Sequence, residues 1–261
     1  MIKSKEKIDV SDLNIKEKKY NYSNNDSLIL NKLCSEINAS LNENIHYLFE
    51  LDEYYFPGAA EIILKYINLF ETEEIKSYLI RQIANSKMNK YSKIILELYK
   101  HYQTSQEYLS TDYDVIFTIG CNYDYAFKKL KPKNIKYDLL NLTSNPRDAF
   151  NLSNTVKMMS SWEIPEMENV LKTYLHAKNF NNSDFCIFSN DKDSNDIVDF
   201  MKNSLIYLGL YGLRYYPSKE NLKIVKNYLD WKHCFIDDVA KITYMKIKKH
   251  LNNLNNDQNS I

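Results

Sequence analysis

The side chains most able to hold a metal or act as nucleophiles are five histidines (His46, His101, His176, His233, His250) and four cysteines (Cys34, Cys121, Cys186, Cys234). A helical di-histidine site needs ligands at i, i+3 or i+4, and no pair has that spacing. His233 and Cys234 are adjacent; on a helix they diverge by about 100° and cannot easily share an ion. The run Asp191-Lys192-Asp193-Ser194-Asn195-Asp196 begins like a calcium loop. It fails twice, with Asp196 where the sharp turn needs Gly and Lys202 where a bidentate Glu belongs. Gly120, Gly209 and Gly212 form no phosphate cradle, and no GxSxG elbow occurs. The expectation is a chain with no catalytic residue, no metal site and no cofactor.

Composition narrows the class further. Thirty-four basic residues balance 34 acidic ones. Residues 1–27 carry +1 and 241–261 carry +3, which leaves −4 across 28–240. Nucleic-acid binders usually show a basic surplus or face, so a nucleic-acid partner is not expected. Only four Gly and five Pro argue against turn-rich β folds and most α/β folds. The widely spaced cysteines, the absence of an apolar leader behind Met1 and the lack of a long apolar run point to a cytoplasmic chain with free thiols.

The elements follow from periodicity. Two aliphatics, then Tyr and another aliphatic, recur at Ile62-Ile63…Tyr66-Ile67, Val170-Leu171…Tyr174-Leu175 and Ile224-Val225…Tyr228-Leu229. This i, i+1, i+4, i+5 spacing lies on one helix face. Pro57, Pro165 and Pro217 stand shortly upstream, where proline suits a first helical turn. The Tyr rings should enter the seams between helices with their hydroxyls near the surface. Gly209 and Gly212 suit close approach of a neighbouring helix. Thr72, ahead of two acids, is a natural cap for a helix over 72–85. Further helices are expected over 147–161, 198–216 and 237–250, with a loop over 178–197. Residues 1–27 read as a mobile polar lead-in, 28–251 as one domain and 252–261 as a frayed tail. The fold class is all-α.

The stretch from Pro217 to Leu251 resembles a HEAT-like repeat, with Ile224, Val225, Tyr228 and Leu229 on a first helix. A turn through Asp230–His233 leads to a second helix carrying Asp238, Val239, Ile242, Met245 and Ile247. Ala240 takes the slot where such repeats often carry Arg. The Tyr positions suggest a 54-residue step whose midpoint would put Gly120 in the Tyr slot. The resemblance implies an irregular stack of helical hairpins, an α-solenoid, whose second helices line a groove.

That groove is the expected protein-binding site, formed by 72–85 and 198–216 with Tyr78, Arg81, Tyr211, Arg214 and Tyr215 as anchors. A small chain without catalytic motifs and with a mildly acidic body fits a bacterial immunity-type protein that masks a basic toxin. The alternatives are an alkylpurine DNA glycosylase-type enzyme using Asp230, Trp231 and Trp162, or a sensor holding a small ligand in an apolar pocket.

Overall fold

The computed structural model describes residues 23–53, 56–110, 112–188 and 192–258. Among them every regular element is helical and the fold is all-α. No helix of the described residues is long and apolar enough to cross a membrane. The helices are α1 (Asn24–Leu41), α2 (Leu48–Glu53), α3 (Ala59–Tyr66), α4 (Glu73–Asn85) and α5 (Ser92–Tyr102). After them come α6 (Tyr113–Leu130), α7 (Lys136–Thr143), α8 (Pro146–Asn151) and α9 (Ser153–Ser160). The chain closes with α10 (Pro165–Leu175), α11 (Lys192–Leu213), α12 (Lys219–Lys226) and α13 (Cys234–Gln258).

One set of helices runs side by side in the order α2, α4, α6, α9, α11, α13, each packed on the next. Four tyrosines help to tie the others to one another. Tyr66 donates to Glu36 on α1 at 2.7 Å, and Tyr91, just before α5, donates to Glu61 on α3 at 2.7 Å. Tyr174 on α10 donates to the Thr143 carbonyl that ends α7, and Tyr228 donates to the Leu175 carbonyl at 2.8 Å. The repeated tyrosines do enter the seams: the Tyr66 hydroxyl stays near the surface on half-buried Glu36 as expected, that of Tyr228 is partly buried, and that of Tyr174 is buried against the Thr143 carbonyl. Ile63, Leu171 and Val225 are buried as the pattern predicts, while Val170, Ile224 and Leu229 are half-buried.

Several expected boundaries shift, each for a local reason. α1 begins at Asn24, inside the stretch expected to be a polar lead-in, because Ser23 caps it and Asp26 is buried. Asp26 accepts from the Glu71 and Thr72 amides and from the Thr72 hydroxyl, so it closes the start of α4. Thr72 does hold the cap position, but its hydroxyl serves Asp26, not its own helix. Pro165 and Pro146 open α10 and α8 in the first turn, whereas Gly58 and Ser218 take the caps after Pro57 and Pro217. The helix expected over 147–161 is two helices, broken at Leu152.

The expected loop over 178–197 contains two 3-10 turns and the first residues of α11. α13 extends beyond the expected helix at both ends, reaching Gln258. Ile242 and Met245 face solvent, and the core face of α13 is Ile236, Val239, Ala240, Thr243 and Ile247. Gly120 lies on α6, in the other set of helices from Tyr66 and Tyr174, so it does not occupy a Tyr slot. Residues 1–22, Tyr54 and Tyr55, the first residue of the calcium-like run (Asp191) and the tail from 259 lie outside the described residues.

Candidate functional site

Two short helices and one long one set up the site. Leu152 has no side chain that can cap α9, so a carboxylate from a neighbouring helix does the work. Asp124 on α6 accepts from the Asn154 and Thr155 amides at 2.9 and 2.7 Å, and from their side chains at 2.8 Å each. This fixes α9 between α6 and α11. On the other side of α11, α10 approaches at Gly209 and Gly212, as the sequence suggests. A Cβ at Gly209 would lie 2.7 Å from the Leu171 carbonyl oxygen, and one at Gly212 2.4 Å from Leu171 Cδ2.

Along α11 and its C-terminal turn, Tyr207, Tyr211 and Tyr215 recur every four residues and align on one side. Their ring centroids are 6.3 and 6.4 Å apart. The Arg214 guanidinium lies 3.7 Å from the Tyr211 centroid, and Lys157 Nζ from α9 reaches Tyr207 at 5.0 Å and Tyr211 at 5.5 Å. A second cation–ring group spans α4 and α6. Arg81 stands 4.7 Å over Tyr125 and donates to Asn122 at 3.1 Å. The Lys65, Lys90 and Lys172 ammonium groups instead meet glutamates.

Between these groups α6, α8, α9, α11 and the start of α13 enclose a pocket of about 460 Å³. Its walls are mainly apolar, with Phe117 at 50% exposure, Phe200 at 49% and Phe235 at 67% around the mouth. Four polar side chains matter chemically: Asn151, Lys157, Cys121 and His233. Asn151 is 5% exposed, and neither its Oδ1 nor its Nδ2 has a hydrogen-bond partner among the described residues. Gly120 allows this placement, because a Cβ there would lie 3.1 Å from three atoms of the Asn151 side chain. Burial lowers the Lys157 pKa; Tyr211 and Asp124 oppose that, while Lys128 and Arg214 add to it. Burial pushes the Cys121 thiol up to about 11, with Asp124 adding to the shift and Arg81 opposing it. Cys121 is therefore a neutral thiol near neutral pH, not an activated nucleophile.

Of the expected anchors, Tyr211, Arg214 and Tyr215 form one contiguous cluster. Arg81 belongs to the second group, with α6 and α9 between it and α11. Tyr78 is half-buried against the core. Asp230 is exposed on the turn between α12 and α13, and Trp231 packs at a tilt against Tyr228 with centroids 5.1 Å apart and Lys178 over it at 4.2 Å. None of Asp230, Trp231 and Trp162 lines the pocket. Sequence reading missed the pocket residues because they come from five separate helices. A signal existed in Phe117 and Cys121, which stand four residues apart on one helix face. Comparison of the chain with protein-family models, curated proteins and solved structures gives no match.

Proposed function

We propose that this chain is a protein-binding scaffold, a HEAT-like stack of helical hairpins whose docking face is the side bearing the Tyr207–Tyr211–Tyr215 ladder. The observation that carries this reading is the run of half-exposed rings with cations laid over them: Lys157 and Arg214 on Tyr211, with Phe200 and Phe235 open to solvent beside them. Apolar patches of this kind with a polar rim mark interaction surfaces, and Tyr and Arg dominate interface energetics. The succession of packed helices from α2 to α13 supports a stacked architecture.

An immunity-type protein that masks a toxin belongs within this reading. The local charge changes the expected partner, however. Although the body as a whole is mildly acidic, Lys157 and Arg214 on this side lie over rings. A partner surface with acidic and apolar groups complements that arrangement better than a basic nuclease surface does. The test is a pull-down from the chain's own cell extract with three baits: wild type, Tyr211→Ala/Arg214→Ala, and Lys65→Ala as a control on the opposite set of helices. A partner retained by wild type and Lys65→Ala but lost from the double variant is expected. Equal retention by all three, with the double variant folded, would overturn the assignment of this face.

A further inference from the structure

Independently of the protein partner, we infer that the 460 Å³ pocket is a binding site for a compact aromatic organic anion, with Asn151 reading a hydrogen-bonding edge and Lys157 meeting the acidic group. The volume lies within the range of small-molecule sites, about 300–1,000 Å³. Phe117, Phe150, Phe200 and Phe235 line it from four helices, and rings from several directions suit a flat aromatic body through stacked or edge contacts.

The polar groups specify the rest. Buried amides in folded proteins are almost always hydrogen-bonded, yet both polar atoms of Asn151 are left without a protein partner. A ligand edge carrying a donor next to an acceptor satisfies both at once. Lys157 supplies the charge preference. Its ammonium lies over Tyr207 and Tyr211, and no carboxylate stands within ion-pair distance among the described residues. The nearby acid, Asp124, already has both oxygens occupied by Asn154 and Thr155. Cys121, a neutral thiol, offers no competing anion. An acidic group on the ligand therefore supplies the counter-charge that Lys157 lacks among the described residues.

The probe is 8-anilinonaphthalene-1-sulfonate, which carries flat rings, an N–H and a sulfonate; its neutral counterpart is N-phenyl-1-naphthylamine. Fluorescence titration of the full chain should give saturable one-site binding of the sulfonate. Lys157→Met should weaken the sulfonate at least tenfold and leave the neutral amine within twofold. Ser204→Phe, which puts a ring into the pocket from α11, should abolish both. Asn151→Leu should weaken the sulfonate while raising the melting temperature, the signature of a polar group kept for binding at the expense of stability. Non-saturable binding, equal sulfonate affinity in Lys157→Met, or unchanged binding in a folded Ser204→Phe variant would each overturn the site. So would a lower melting temperature for Asn151→Leu. The pocket shares Lys157, Phe200 and Phe235 with the proposed docking face, but the pull-down variants Tyr211→Ala/Arg214→Ala lie outside its lining, so the two assignments fail separately.

Discussion

The Tyr66 hydroxyl donates a 2.7 Å hydrogen bond to the Glu36 carboxylate, and the neighbouring Lys65 ammonium meets the other oxygen of the same group. Lys90 and Tyr91 repeat the arrangement on Glu61 at the same separations of 29 and 30 residues, except that both engage one oxygen. Tyrosines thus tie α3 to α1 and α5 to α3 through carboxylates, and Tyr174 and Tyr228 make similar ties to the backbone carbonyls of Thr143 and Leu175. Removing only the hydroxyl tests whether these ties matter. Tyr174→Phe and Tyr228→Phe should each lower stability by about 1 kcal/mol, the ordinary net value of a hydrogen bond. Tyr174→Phe should cost more because its hydroxyl and the Thr143 carbonyl are buried together. Urea midpoints unchanged in both variants would mean that ring burial alone holds the seams.

Gly209 gives a steric test of the α10–α11 contact. A methyl group there would meet the Leu171 carbonyl oxygen, which belongs to the backbone of α10 and cannot rotate away. The gain in helix propensity from Gly to Ala is about 1 kcal/mol, and overpacking of a close contact costs about 1–3 kcal/mol. The net expectation for Gly209→Ala is a loss of up to about 2 kcal/mol. A gain in the urea midpoint would show that the two helices separate freely.

Asp148 carries an unusual pH signature. Its carboxylate accepts from Tyr99 at 2.7 Å, Gln103 at 2.8 Å and Tyr108 at 3.0 Å, beside the fully buried Arg147. Burial raises its pKa above 3.8 despite the opposing hydrogen bonds and the Arg147 charge. The folded state therefore holds the proton more readily than the unfolded chain, so this group's contribution to stability falls as pH rises from 3.8 through the raised value. Asp124 shifts in the same direction, again by burial. The stability difference between wild type and Asp148→Asn should grow as the solution is acidified from neutral towards pH 3.8. Urea midpoints across that interval measure it, and a difference that shrinks on acidification contradicts the sign.

How far the sequence revealed these features depends on whether the signal is local. The all-α class and the buried positions Ile63, Leu171 and Val225 follow from helical spacing. Asp26 and Asp124 resemble solvated acids in sequence, and only their distant partners at Thr72 and Thr155 make them caps. Leu152 breaks a helix that periodicity draws as continuous, and Ile242 and Met245 face outward although their spacing suits a core stripe. The Tyr211–Arg214–Tyr215 cluster was legible because it lies within one helical turn and a half. The pocket was not, since Phe117, Asn151, Lys157 and Phe235 meet only through the order in which the helices pack.

Asp124 links that packing to the pocket. Its two oxygens receive four hydrogen bonds from the start of α9, the eight-residue helix that carries Lys157. Asp124→Ala removes the cap and leaves the Thr155 hydroxyl and two amides buried without acceptors, a loss of about 2–4 kcal/mol. Asp124→Asn keeps one acceptor oxygen but turns its amide towards donors, so it should lie between the two. Because α9 holds Lys157 against Tyr207 and Tyr211, loosening it should also weaken the aromatic sulfonate more than the neutral amine. Denaturant titration and probe binding on the same three proteins should therefore rank them identically: wild type, Asp124→Asn, Asp124→Ala. Full stability in Asp124→Ala would show that α9 needs no cap from α6, and lost stability with unchanged charge preference would separate the cap from the pocket.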